Sequence, residues 1–209
     1  MHKLFTALLV ALSISLFAQD QVAKDVLDKL SKTTKSYKNI IIDFDFILEN
    51  KSQNINDKKT GRLEMQEDKF RLVIADQTII NDGKSQWVYL PAMNEVQIME
   101  HNPEDDMMSP NKLFTIYEED YKYTYVGPES ENGKRLQIID LFPKESSPFI
   151  KITLAVDAAQ HELNKITILD KNGGAYTYKI TTFTTNSNDL APFTFNLSDY
   201  PNIEVIDLR

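Results

Sequence analysis

Residues 40–49 read Ile-Ile-Ile-Asp-Phe-Asp-Phe-Ile-Leu-Glu. The even positions, Ile40, Ile42, Phe44, Phe46 and Leu48, are all apolar, whereas the odd ones include Asp43, Asp45 and Glu49. A period of two describes a strand with one dry face and one wet face. The alternation recurs at Leu63/Met65, Phe70/Leu72/Ile74, Trp87/Tyr89, Val96/Ile98 and Tyr121/Tyr123/Tyr125. It continues through Leu136/Ile138, Ile150/Ile152/Leu154/Val156, Ile166/Ile168, Tyr176/Tyr178/Ile180 and Phe193/Phe195/Leu197. Turn residues separate these runs: Asp82-Gly83, a Pro91 turn, Asn132-Gly133 and Asn172-Gly173-Gly174. About ten short strands joined mostly by hairpins predict a large, curved antiparallel sheet. No βαβ alternation and no internal repeat is present.

Upstream of the first strand the period changes. Between Asp20 and Tyr37, Val22, Val26, Leu27, Leu30 and Tyr37 fall on one helical face, with Lys24, Asp25, Asp28, Lys29 and Lys32 on the other. A second short helix is expected after Ser109-Pro110, an N-cap followed by Pro at the first helical position, with Leu113, Phe114, Ile116 and Tyr117 as its apolar side. Between the last strand before it and this helix runs the polar stretch from Glu100 to Asp106. Two helices over so many strands make a thin cover, and an apolar sheet face needs one. Either the sheet curls until it closes on itself, or part of its apolar face lines a cavity.

The chain has 209 residues, 23 Lys+Arg against 31 Asp+Glu, and no Cys. A net charge of −8 without a basic run speaks against nucleic acid as a partner. Lacking Cys, the chain has no thiol chemistry, disulfide or zinc-finger site. Lys3 followed by the apolar stretch Leu4–Phe17 reads as a secretory leader over residues 1–19, cut near Ala18 or Gln19 and too short to span a bilayer. Without a Cys at the cut there is no site for a lipid anchor. Residues 20–209 are then expected to form one exported domain, monomeric and acidic. Its charge is concentrated in Glu100–Asp106 and Glu118–Asp120, which favours basic docking surfaces and salt-sensitive association.

Catalytic signatures are missing. The sequence contains no G-x-S-x-G, HExxH, P-loop or GxGxxG. Asp43 and Asp45 share a strand face, where they fit a solvated surface better than a catalytic carboxylate pair. His101 with Glu104-Asp105-Asp106 lacks the ligand pattern of a calcium loop. No enzyme activity, metal or cofactor is expected. A transmembrane barrel is disfavoured, because the apparent strands are shorter than the roughly 9–11 residues that such barrels use and the chain ends in Arg209.

Gly61-Arg62-Leu63, Lys69-Phe70-Arg71, Asn81-Asp82-Gly83-Lys84-Ser85-Gln86-Trp87-Val88-Tyr89, Pro91 and Glu95-Val96 occur in an order that resembles the outer-membrane lipoprotein carrier family of the LolA type. Ser109-Pro110 with Leu113, then Asp170, Phe183, Asn188, Phe193-x-Phe195 and Val205 continue the likeness across almost all of residues 20–207. The resemblance implies a mainly β fold, an unclosed antiparallel half-barrel around a hydrophobic cavity, covered by the N-terminal amphipathic helix and the short mid-chain helix. It implies a periplasmic carrier that takes acylated lipoproteins from an inner-membrane lipoprotein-releasing ABC transporter to an outer-membrane acceptor lipoprotein. Absence of Cys matches the carrier and not the acceptor. A related half-barrel that holds a free lipid or glycolipid, or senses lipoproteins, is the alternative. Cavity and lid candidates are Phe44, Phe46, Met65, Phe70, Leu72, Trp87, Tyr89, Met107, Met108, Leu113 and Phe114. Many family members have a basic residue and Pro before the Phe-Arg strand; here Gln66-Glu67-Asp68 stands there, so a lid contact through that base does not carry over.

Overall fold

The computed structural model describes residues 21–101 and 121–209. The expected leader, the Ser109 helix and the candidates Met107, Met108, Leu113 and Phe114 lie outside the described residues. Helix α1 spans residues 21–36. It precedes twelve strands: β1 (Ile40–Asn50), β2 (Ile55–Gln66), β3 (Lys69–Ile74), β4 (Gln77–Asn81), β5 (Ser85–Leu90), β6 (Glu95–Glu100), β7 (Tyr121–Glu131), β8 (Lys134–Pro143), β9 (Phe149–Asp157), β10 (Leu163–Asp170), β11 (Ala175–Thr185) and β12 (Glu204–Asp207). They form one sheet in the order β12-β6-β5-β4-β3-β2-β1-β11-β10-β9-β8-β7. Every pairing is antiparallel except β12 with β6. β7 and β12 are the two edges and do not pair with each other, so the sheet is a half-barrel and not a closed barrel.

The face that α1 covers is the inner one. Ala23, Leu27 and Leu30 of α1 are fully buried against Ile40, Ile42 and Phe44 of β1, Leu63 and Met65 of β2, Phe70 of β3, and the inward residues of β8–β10. The helical stripe is rotated from the sequence reading. Ala23 faces inward at i, i+4 and i+7 with Leu27 and Leu30, which leaves Val22, about 100° round the helix, 41% exposed. Gly61 of β2 lies opposite Phe44 of β1. A Cβ there would fall 2.3 Å from Phe44 Cζ, so the absent side chain is what lets the ring lie flat on β2.

The outer face is covered in two places. On a flat sheet β7 and β11 lie about 19 Å apart, four steps of about 4.8 Å, beyond the joint reach of a glutamate and a lysine. Yet Glu131, at the end of β7, accepts from Lys179 of β11 at 2.6 Å and from Lys165 of β10 at 3.0 Å. The β7–β8 hairpin therefore folds back over the outer face. A register shift between Tyr125 and Gly127 makes the bend, with Gly127 at φ +142°, where a side chain is strained. Leu136, Ile138 and Ala155 are buried together on this face. Elsewhere, residues 186–203 cross β2–β6 before β12 docks. Asn39 bonds Ser187 twice, at 2.9 Å each way; the Ala191 N–H donates to Glu64; and Arg71 donates to the carbonyls of Pro192 and Thr194. Phe195, Tyr89 and Tyr200 form a mutual cluster, with ring centroids 5.5 Å (Phe195–Tyr89), 4.5 Å (Phe195–Tyr200) and 4.7 Å (Tyr89–Tyr200) apart.

Three expectations are corrected. Phe193-Phe195-Leu197 is not a strand: Pro192 has no N–H to extend a ladder, and the segment instead packs Phe195 onto the outer face of the sheet and ends in a 3-10 turn at Leu197–Asp199. β4 and β12 have no counterpart in the sequence reading. In β4, Ile79 meets the inner core while Ile80 is buried under the C-terminal segment, so both faces are dry and the alternation vanishes. Nor are the strands short, since β1, β2, β7, β8 and β11 have 10 to 12 residues. The outer face speaks against a lipid-facing barrel in another way, through ion pairs such as Arg62–Asp43 at 2.9 Å and Lys151–Asp140 at 2.7 Å.

Gly61→Ala is expected to lower the unfolding free energy by about 1–3 kcal/mol through overpacking, and Gly61→Ala combined with Phe44→Leu to lose less than the sum of the single variants, read by denaturant unfolding. Hydrogen bonds from Lys179 and Lys165 hold the Glu131 carboxyl below its ordinary value. A depressed carboxylate stabilises the fold above its unfolded-state pKa and loses that contribution as pH falls through the folded value. Glu131→Gln should thus cost about 0.5–1 kcal/mol at neutral pH, and the difference from wild type should vanish on acidification well below pH 4.5.

Candidate functional site

The inner wall is built by strand parity. Opposed residues of antiparallel neighbours share a face, so Phe46 of β1, Tyr178 of β11 and Ile166 of β10 form one row, while Leu48, Tyr176 and Ile168 form the next. Phe46 and Tyr178 have ring centroids 5.2 Å apart, Phe46 and Tyr176 6.5 Å, and Phe44 and Tyr178 5.7 Å. Tyr176 hydrogen-bonds Asp170 at 3.1 Å through its hydroxyl. Burial raises the pKa of Tyr178, which keeps its phenol neutral. With Leu72, Ile74, Ile79, Tyr123 and Tyr125, these side chains are only partly buried against the core. The wall is apolar, aromatic and incompletely covered by α1.

A cleft of about 610 Å³ opens where α1 ends. Thr34, Lys35, Tyr37 and Lys38 form one side, Gln66-Glu67-Asp68 of the β2–β3 turn the other, and Ile40 and Met65 of the inner wall reach its floor. Glu67 adopts φ +53° in that turn. Tyr37 ties the helix end down: its hydroxyl donates to Glu162 Oε1 at 2.7 Å, and its ring lies edge-on to Phe183 at 6.3 Å. Burial, and then the bond to Glu162, push the Tyr37 hydroxyl up to about 12.

Of the sequence candidates, Phe44, Met65 and Phe70 are buried and Phe46 and Leu72 half-buried, all in the cluster that α1 covers. Trp87 and Tyr89 are not brought to this wall. β4 pairs Asn81 with Gln86 and Ile80 with Trp87, while β3 pairs Phe70 with Asn81 and Arg71 with Ile80. Trp87 thus shares a face with Arg71, not with Phe70, and both aromatics pack with Phe195, Tyr200 and Ile203 on the outer side. One residue of parity separates the two outcomes. Conversely, Tyr123, Tyr125, Tyr176 and Tyr178 belong to the wall, although the sequence reading marks them only as strand residues; their unbroken alternation is the available signal. Asp43 and Asp45 face outward, paired with Arg62 and with Lys58, each at 2.9 Å. No cluster of three or more metal-ligating side chains occurs among the described residues, nor does any helix there long and apolar enough to cross a membrane.

The family model for the outer membrane lipoprotein carrier protein LolA matches residues 27–198. The chain belongs to this family. No curated protein matches it by sequence at a comparable level. Among solved structures, an uncharacterised conserved protein of Thermus thermophilus is 12% identical, with a TM-score of 0.57 over 89% of this chain and 99% of that one. The lipoprotein LppX of Mycobacterium tuberculosis is 11% identical, with a TM-score of 0.53 over 84% of this chain and 100% of that one. At these identities the likeness is one of fold. The cleft turn Gln66-Glu67-Asp68 carries two acidic side chains, and Asp207 and Arg209 form a 2.6 Å ion pair.

Tyr37→Phe should cost about 1 kcal/mol, the net worth of one hydrogen bond. A raised tyrosine pKa stabilises the fold below the unfolded value, and the contribution disappears as pH rises through about 12. Ultraviolet titration of wild type against Tyr37→Phe should accordingly lose one late-ionising phenol.

Proposed function

We propose that the chain is a periplasmic carrier whose inner wall holds the acyl chains of lipoproteins in transit from the inner to the outer membrane. The observation that carries this reading is the half-buried aromatic wall: Phe46, Tyr123, Tyr125, Tyr176 and Tyr178 present apolar surface that α1 does not bury. Membership of a family described as outer membrane lipoprotein carriers supports it, as does the leader-like stretch Leu4–Phe17.

The energetics suit a relay. Each methylene of an acyl chain exposed to water costs about 0.8 kcal/mol, so a long chain costs on the order of 10 kcal/mol. A wall that covers part of the chain offsets part of that cost and still allows release. Rigid aromatic side chains contribute large contact area while losing little conformational entropy. An inner-membrane lipoprotein-releasing ABC transporter would load the carrier, and an outer-membrane acceptor lipoprotein would unload it. With −8 overall, basic docking surfaces on both partners would make transfer salt-sensitive.

The test is recovery of the protein from the periplasm and mass spectrometry of what travels with it. N-terminally acylated proteins are expected, and Phe46→Asp or Tyr178→Asp should reduce their recovery at least tenfold while α1 still packs. Free lipid or glycolipid in place of acylated protein would replace this reading with that of a lipid-binding module; an empty protein beside a loaded positive control would end both.

A further inference from the structure

Asn81 is fully buried, and its carboxamide Nδ2 has no hydrogen-bond partner. The other end of the amide is engaged: Oδ1 accepts the Gly83 N–H at 2.6 Å across the β4–β5 turn. The carboxamide is thereby held in one orientation with its NH2 unsatisfied. A buried donor left unpaired costs about 1–3 kcal/mol, so it is rare in folded chains and points to a missing acceptor. Other buried polar side chains have found theirs, as Asn39 has with Ser187, Asn50 with Asn172, and Asp157 with the Ala159 N–H. Arg71 Nε is the only other such atom among the described residues, and its guanidinium already donates to two carbonyls of the C-terminal segment.

Register places Asn81 on the inner face. It lies opposite Phe70, which lies opposite Met65, which lies opposite Ile40. Ile40 and Met65 reach the floor of the cleft at the end of α1. This apolar row, about 14 Å or three strand spacings long, is buried along its length and ends at the dry amide donor, while Leu72 and Ile79, the next pair on the same face, are only partly buried. Pure hydrocarbon has no use for that donor. An acyl chain does, because its hydrocarbon ends in an ester or amide carbonyl.

We infer that Asn81 is the polar contact for the head of a bound acyl chain: Nδ2 donates to an ester or amide carbonyl of a ligand whose hydrocarbon lies along the partly buried inner-wall residues beside it, Leu72, Ile74 and Ile79. The inference rests on the acyl-binding reading above and narrows it to carbonyl-bearing chains. The donor serves two purposes. It satisfies a group whose desolvation the fold already bears, and it sets how far the chain enters, because sliding the carbonyl past Asn81 leaves both partners unpaired in a dry site. Lipoproteins and phospholipids both carry such carbonyls.

The full mature chain is titrated with three probes: a synthetic diacylglyceryl-cysteine lipopeptide, its dialkyl ether analogue, which lacks both ester carbonyls, and a diacyl phospholipid of the same chain length. Wild type should bind the ester lipopeptide five- to tenfold more tightly than the ether. Asn81→Asp keeps an oxygen for the Gly83 N–H and removes the donor, and Asn81→Leu removes both; in each the preference should fall to about one while ether affinity stays. A preference shown by the phospholipid as well supports the contact and widens its source. Equal binding of ester and ether to wild type overturns the inference and leaves acyl binding intact, as does an unchanged preference in either variant that unfolds cooperatively. Should neither variant fold, the wild-type Asn81 side-chain NH2 resonances decide: a shift with the ester alone supports the contact, and the same shift with both ligands, or with neither, removes it. Failure of all three probes to bind refutes acyl binding itself, and Asn81 with it.

Discussion

A sheet with one continuous apolar face has to keep water off it, and here a single described helix of about four turns is laid against twelve strands. Everything else about the molecule follows from that imbalance. Ala23, Leu27 and Leu30 fill the middle of the wall, where Phe44 can lie low because Gly61 leaves room beneath it. Away from that centre the aromatic residues of β1, β7 and β11 stay half-buried. The cost of leaving them so is tolerable because Phe46, Tyr176 and Tyr178 pack edge or face against one another. What remains is a surface that gains by meeting hydrocarbon and tolerates its departure.

The outer face solves the opposite problem. It must stay polar without letting the curved sheet splay. Two devices pin it, a hairpin folded back and held by Glu131 between two lysines, and a C-terminal segment laid across β2–β6. Each buries its own small apolar cluster. Trp87 and Tyr89 therefore belong to the outer cluster and not to the inner wall. Edge strand β7 is broken by a bulge and by Pro128, and β12 has only four residues, which limits pairing with other chains.

Much of this was legible in the residues. Alternation at Ile40–Glu49, Tyr121–Tyr125 and Tyr176–Ile180 marked strands and their dry faces, and Asp82-Gly83, Asn132-Gly133 and Asn172-Gly173 marked hairpins that the structure contains. Legibility failed where both faces of a strand are covered, as at Ile79-Ile80, and where a run alternates for a reason other than pairing, as at Phe193–Leu197. It failed again at Trp87, because sequence reveals that a strand has a dry side but not which layer lies against it. Asn81 reads in the sequence only as a neighbour of a turn; its significance depends on an unsatisfied atom, which no pattern of residue types displays.

The central strand pair has a consequence for how the chain is made. β1 is paired along one side with β11, so that Ile40 lies beside Thr185, and β12 returns to β6. Contacts so distant in sequence close late and slowly. β1–β6 can zip into successive hairpins as they form, whereas the other side of β1 waits for residues 175–185. Until then β1 is an open strand edge, whose unpaired backbone groups are exposed to other chains.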